Sequence, residues 1–449
     1  MTVNLLKTGA RRVAVMSVVL ASLAGCGITD VFSEGDVTKL PGKRLSVMEL
    51  DTKLDVDPSS ADIDVVLPKP YENKDWTQPG GSADNANYHL AAPGGLTRVW
   101  NTSAGTGTGG AAQLTATPIV AEGKVFVLDA ASQVSAYDMK SGNRLWEQEL
   151  VPEGEDADEG RGGGIAYDNG KLFVVTGFGA AYALNPASGA IIWTKNIGEP
   201  YRAAPTANGG RVFAITADNQ MICMTQENGE ILWRHRGITE SAGILATTSA
   251  AVAGSTVVAP YSSGELFALR VENGTAVWSD SLTRTGNVTA LSELNDIAGR
   301  PVIDRDRVIA ISHAGRMVSI DLRTGERVWT RDIAGVQTPW VAGDFIFLVT
   351  TKQEVVALSR RDGRIRWIRQ LPRFEDETDR TEPIVWSGPV LVSDRLLLVS
   401  SNGQAVSISP YTSEIKGRID IPDGTFIAPV VADGMVFIIT KDAELFALK

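Results

Sequence analysis

A nine-residue phrase, DLRTGERVW at 321–329, recurs in altered form along most of this chain, and that repetition limits the fold more than any other feature. Copies begin at Thr117, Gly164, Ala204, Ala246, Arg300 and Thr338. In each, a glycine (Gly142, Gly189, Gly229, Gly274, Gly325, Gly363) precedes by four residues a tryptophan (Trp146, Trp193, Trp233, Trp278, Trp329, Trp367). A seventh copy from Gly388 has Ser413 and Gly417 at those two places, and an eighth, from Ala428, stops at Lys449. Self-similarity at a period of about 45 residues marks units that bury a continuous core only by packing on their neighbours.

Within a copy the hydrophobic pattern has period two. In the first it predicts strands over 118–121, 124–128, 133–137 and 144–150, separated by turn residues. Four short antiparallel strands per repeat make a β-propeller blade. The phrase itself spans the last hairpin. Its glycine meets a demand for positive φ, and Asp138, Asn185, Thr225, Asp321 or Ser359 four residues earlier can bond the turn backbone. The tryptophan is suited to fill the wedge between neighbouring twisted sheets. The eighth copy lacks its fourth strand, while LTRVWNTSA at 96–104, with Trp100, is an unassigned strand at the other end. Joining the two closes the ring and removes two exposed edges. The predicted fold is all-β: an eight-bladed propeller of four-stranded antiparallel blades over 93–449, its last blade completed by the N-terminal strand.

The residues before the ring read differently. Lys7, Arg11 and Arg12 precede the apolar run Val13–Leu23, which is too short to span a bilayer and has the form of a secretory signal peptide over 1–25. Leu23, Ala24, Gly25 and Cys26 resemble the lipobox of bacterial lipoproteins, which implies acylation at Cys26 and a stable membrane anchor. Gly27 follows, not the aspartate that resembles an inner-membrane retention signal, so an outer-membrane location is expected. Residues 26–92, rich in Pro, Gly, Ser, Asp and Asn without strand or helix period, read as a flexible tether. A coil of roughly 65 residues averages about 45 Å from end to end. Cys223 is the only other cysteine; with Cys26 acylated, no internal disulfide can form, and Cys223 is expected as a small buried hydrophobe.

A net charge of −11 argues against a phosphate-backbone surface, so no nucleic-acid partner is expected. His89, His235 and His313 are far apart in sequence and supply little for a metal site or a catalytic triad. The acidic runs at 153–164 and 373–382 lack calcium-loop spacing, and GRGGG at 160–164 lacks the strand-to-helix setting of a phosphate loop. No catalytic residue, metal or cofactor is assigned.

The repeats resemble those of quinoprotein (PQQ) alcohol dehydrogenases. Together with the lipobox, eight copies and the tether they resemble the BamB family, lipoprotein subunits of the outer-membrane β-barrel assembly machinery. That resemblance implies a non-catalytic scaffold on the periplasmic face of the outer membrane. Its implied partners are the POTRA region of a BamA-like insertase and nascent outer-membrane β-barrel proteins, which an exposed blade edge could receive by strand addition. The family's docking loops fall on 237–248 and 285–300, where Ile244, Leu245, Leu291, Glu293, Leu294 and Asp296 are the candidate partner-binding residues. Leu291, Leu294 and Ile297 are apolar residues that a loop exposes at a cost unless a partner covers them. The alternatives are a quinoprotein-like dehydrogenase or small-ligand sensor using the ring axis, and a cell-surface adhesion propeller. The adjacent cysteines that carry the quinone in dehydrogenases of that type are lacking.

Overall fold

The blade strands form because each carries buried aliphatic side chains bounded by tight turns. In blade 1 these are Ile119–Ala121, Lys124–Leu128, Gln133–Asp138 and Arg144–Glu149, within a residue or so of the sequence expectation. The computed structural model describes residues 53–60, 63–92, 94–240, 248–283 and 295–449. Cys26 and the signal segment lie outside the described residues. Eight four-stranded antiparallel sheets succeed one another, and a small hairpin, Phe374–Asp376 with Thr381–Pro383, carries the second acidic run. Blade 8 is Val430–Ala432, Met435–Ile439 and Glu444–Leu448, completed by Arg98–Ser103 from the other end of the chain.

The joints between blades share one construction. Each indole Nε1 donates to a backbone carbonyl of the next blade: Trp100 to Met139, Trp146 to Pro186, Trp193 to Gln226, Trp233 to Val271, Trp278 to Leu322, Trp329 to Arg360 and Trp367 to Pro410, at 2.8–3.1 Å. The phrase's glycine is where the preceding blade's indole rests. At Gly274, φ is +71°, and a Cβ there would lie 2.5 Å from the ring of Trp233, so both backbone and packing exclude a side chain. Asp138 and Asp321 accept turn N–H groups as expected, from Ser141 and Thr324, each at 2.8 Å.

The outermost strand pair of every blade carries a β-bulge, and the sequence pattern did not reveal it. Opposite Ala136 and Tyr137 stand Trp146 and Arg144, so Leu145 is the extra residue. The bulge turns Trp146 into the joint and leaves Leu145 half exposed. Blade 8 reproduces it across the chain break, Trp100 opposite Ala447 and Arg98 opposite Leu448. Gly417 in blade 7 follows from the same construction. The next blade has no continuous hairpin for an indole to seat on, because its third strand ends the chain and its fourth comes from residues 98–103.

The predicted tether differs most from the structure over its described part, 53–60 and 63–92; residues 26–52 lie outside the described residues. Residues 54–92 belong to the same compact unit as the ring. The stretch 73–91 enters the axis as a plug and bonds the innermost strand, or its adjoining turn, in all eight blades. Trp76 exchanges backbone bonds with Val120 in blade 1, at 2.7 and 2.9 Å. Gln78 bridges Tyr167 of blade 2 and Ala207 of blade 3. The Val252 and Ile303 N–H groups of blades 4 and 5 donate to Ala83 and Asp84. Trp340 of blade 6 donates its indole N–H to Tyr88, while Leu90 pairs with Leu391 and Ser393 of blade 7, and Asn73 takes the Asp433 N–H of blade 8. The physical reason is that innermost strands turn an unpaired backbone edge to the axis, and those groups need partners. A segment meeting eight strands once or twice each carries no period, so it has the composition of a leash and is nonetheless buried.

Truncating a joint indole removes both a packed ring and a bond. Trp278→Ala should lower unfolding free energy by about 3–5 kcal/mol, whereas Leu145→Ser on the bulge should change it by no more than about 0.5 kcal/mol. Denaturant unfolding of the two variants beside the unaltered protein checks the contrast.

Candidate functional site

Two regions can be weighed as a site: the face that carries the long connections between blades, and the ring axis. The connections on either side of blade 4 leave the sheets beside the same hairpin. In the first, the Ile238 N–H donates to Glu265 at 2.6 Å and its carbonyl accepts from Asn219 at 2.6 Å. In the second, the Ile297 N–H donates to the Tyr261 carbonyl and the His313 N–H to the Asp296 carbonyl. Both stems therefore converge on Tyr261–Glu265. Ile238 is 60 % exposed, an apolar side chain at the root of the first loop.

Ile244, Leu245, Leu291, Glu293 and Leu294 lie outside the described residues. Asp296 and Ile297 are described, and they differ from expectation. Ile297 is fully buried, and Asp296, 1 % exposed, forms an ion pair with buried Arg202 from the connection between blades 2 and 3. A carboxylate held inside by a guanidinium has no surface to offer a partner. Asp296 thus fixes the loop's base, and the contact role the resemblance implied for it is corrected to an anchoring one. Ile297 packs against the flank of blade 4 for the same reason: the loop's last residues return to the core before the next inner strand.

The axis holds a cavity of about 40 Å³ lined by Trp76, Asn85, Asn87, Thr117, Arg300 and Trp340 among others. It is too narrow for a tricyclic quinone cofactor, and the plug takes up the space beside it. Among the described residues no three His, Cys, Asp or Glu side chains come together as a metal-binding set. The quinone and its calcium do not fit these residues. His89 and His235 have structural contacts. His89, in the plug, gives its Nδ1 proton to the Pro68 carbonyl at 2.7 Å and accepts the Asp394 N–H on Nε2 at 3.0 Å. His235 packs at 4.5 Å from the Phe267 ring centre, and burial lowers its pKa. Burial pushes the Cys223 thiol up to about 12, which leaves it inert. The glycine run ends in the first strand of blade 2, where a Cβ on Gly164 would lie 2.4 Å from that of Ala204.

Sequence reading passed over the plug residues and Arg202. A signal existed in the plug: Tyr71, Trp76, Tyr88 and Leu90 are large apolar residues in a stretch otherwise composed like a leash. Arg202 gave none, since a lone arginine before a strand is ordinary.

Known proteins resemble this chain over most of its length. A curated relative from Shewanella oneidensis, "Outer membrane protein assembly factor BamB", is 26 % identical over 353 residues, covering 77 % of this chain and 87 % of its own length. Among solved structures, BamB from Moraxella catarrhalis aligns with a TM-score of 0.64 at 17 % identity, over 79 % of this chain and 99 % of that one. The quinohemoprotein alcohol dehydrogenase of Comamonas testosteroni aligns as well, TM-score 0.65 at 14 % identity, over 84 % and 81 % of the two chains. Backbone likeness at such identities shows the propeller fold alone, and the two cannot be separated by it. The family profile described as "Outer membrane protein assembly factor BamB" matches residues 88–157 and 130–369, more than half of the chain. On that match, carried by the repeats and their hairpin phrase, the chain belongs to the BamB family.

Proposed function

We propose that this protein is a non-catalytic scaffold in the assembly of outer-membrane β-barrel proteins, anchored by lipid at Cys26 to the periplasmic face of the outer membrane. It docks on the POTRA region of a BamA-like insertase through the two loops flanking blade 4. Family membership carries the reading, and the convergence of both loop stems on Tyr261–Glu265 supports the choice of face. The plug bonds the Asp433 and Ser393 turns at the end of the inner strands opposite these connections. Ile244, Leu245, Leu291, Glu293 and Leu294 form the contact, and the Asp296–Arg202 pair holds the second loop in position.

The outer strands supply a second surface. Leu145, Ile192, Leu232, Val277 and Val328 are half exposed at equivalent places on successive outer edges. Such edges can accept an extended strand from a client protein. In blade 6 the chain's own residues already do something similar: the Asp57 N–H donates to the Ile365 carbonyl at 3.0 Å, and Arg366 bonds the Ile63 carbonyl.

Leu294→Glu or Ile244→Glu should leave thermal unfolding unchanged while abolishing recovery of the insertase in a mild-detergent pull-down from outer membranes; undiminished recovery would refute the docking face. Asp296→Ala should behave differently, costing about 3–5 kcal/mol of stability by leaving Arg202 buried and unpaired. Cys26→Ala should move the protein from the membrane to the soluble periplasmic fraction, and a variant that stays with the membrane would refute the anchor.

A further inference from the structure

The axial cavity collects hydrogen-bond donors that the protein itself leaves without acceptors. Arg300, two residues before the inner strand of blade 5, reaches across the axis and donates from Nη2 to the Thr117 hydroxyl of blade 1 at 3.1 Å. It is 7 % exposed, and its Nε has no hydrogen-bond partner. Trp76, brought in by the plug, is 4 % exposed, and its Nε1 is likewise buried without a partner. Both residues line the same cavity, and Arg300 is the only charged residue among those that do. The Asn85 and Asn87 amide nitrogens are already committed, to the Pro301 and Gly80 carbonyls.

A guanidinium out of water with no carboxylate beside it is costly, and it does not escape by losing its proton. Burial lowers the Arg300 pKa only to about 10, so the charge persists at neutral pH. The other buried arginine among the described residues, Arg202, has Asp296. Arg300 has a hydroxyl and a cavity of about 40 Å³, where roughly 10–15 Å³ suffices for one water. From the convergence of these donors on one cavity, we propose that the ring axis binds a small anion, of chloride to phosphate size, held by Arg300 and Trp76 between the ring and the plug. Because Trp76 belongs to the plug and Arg300 to the ring, the anion ties the two together. Its binding therefore favours the plugged state over any state in which residues 73–91 have left the axis. This is separate from docking on the loop face and stands or falls independently of it.

The test uses the full-length protein in detergent, in a buffer whose only anion is bulky gluconate, titrated in separate arms with chloride, formate and phosphate at constant ionic strength. The melting temperature is expected to rise by several degrees, saturably, in at least one arm, with slower hydrogen exchange over residues 73–91, and Arg300→Met should abolish both responses. Should Arg300→Met fail to fold, Trp76→Phe takes its place: it keeps the ring and the charge and removes one donor, and should raise the half-saturating concentration about tenfold. Crystals grown in bromide should give an anomalous peak beside the Arg300 guanidinium. A melting temperature indifferent to all three anions, an equal response in the variant and the unaltered protein, or bromide crystals showing only water in the cavity would each overturn the proposal.

Discussion

The seat of each indole on the next blade's hairpin is the contact on which the ring depends. A propeller has no single core: each sheet must pack on a neighbour that is rotated and twisted away from it, leaving a wedge widest at the outer rim. A tryptophan fills that wedge and, through Nε1, bonds a carbonyl of the following blade, so each joint is fixed in register as well as in area. The glycine beneath the ring, the turn acid, and the bulge that aims the side chain all serve this contact. Seven joints share it, and the joint without it is the one where the chain has its ends.

Closure and the plug solve two forms of one problem, unpaired strand edges. Arg98–Ser103 completes the last sheet, and 73–91 meets the inner edges where they converge on the axis. The same plug leaves at the axis a space too small for the cofactor of the dehydrogenases that share this backbone shape, and it introduces the donor that faces Arg300 across that space. What the chain can do at its axis and at its loop face are thus separate matters.

The blades were legible because period-two burial and turn chemistry are local: a strand flanked by Asn, Asp or Gly turns says the same thing in any context. Trp146, Trp193 and their counterparts were readable as joint-fillers because the position recurs. Asp296 was misread because its sequence neighbours, SELN and IAG, do not reveal that Arg202, far away in the chain, arrives beside it. The plug was misread because Trp76, Gln78, Ala83 and Tyr88 each answer to a different blade, and a segment whose partners change at every step has no pattern of its own.

The amino-acid sequence by itself determined the number of blades, the hairpin in each, the residue that joins them and the pairing of first strand with last, since these follow from short-range patterns and from counting. Tertiary structure alone decided which polar residues are inside, what fills the axis, and which charge stands without a counter-charge. Those properties depend on residues hundreds of positions apart, such as Trp76 with Arg300 and Asn73 with Asp433, meeting where eight sheets converge. Burial of a charge or of a backbone edge is set by that convergence, and no local pattern encodes it.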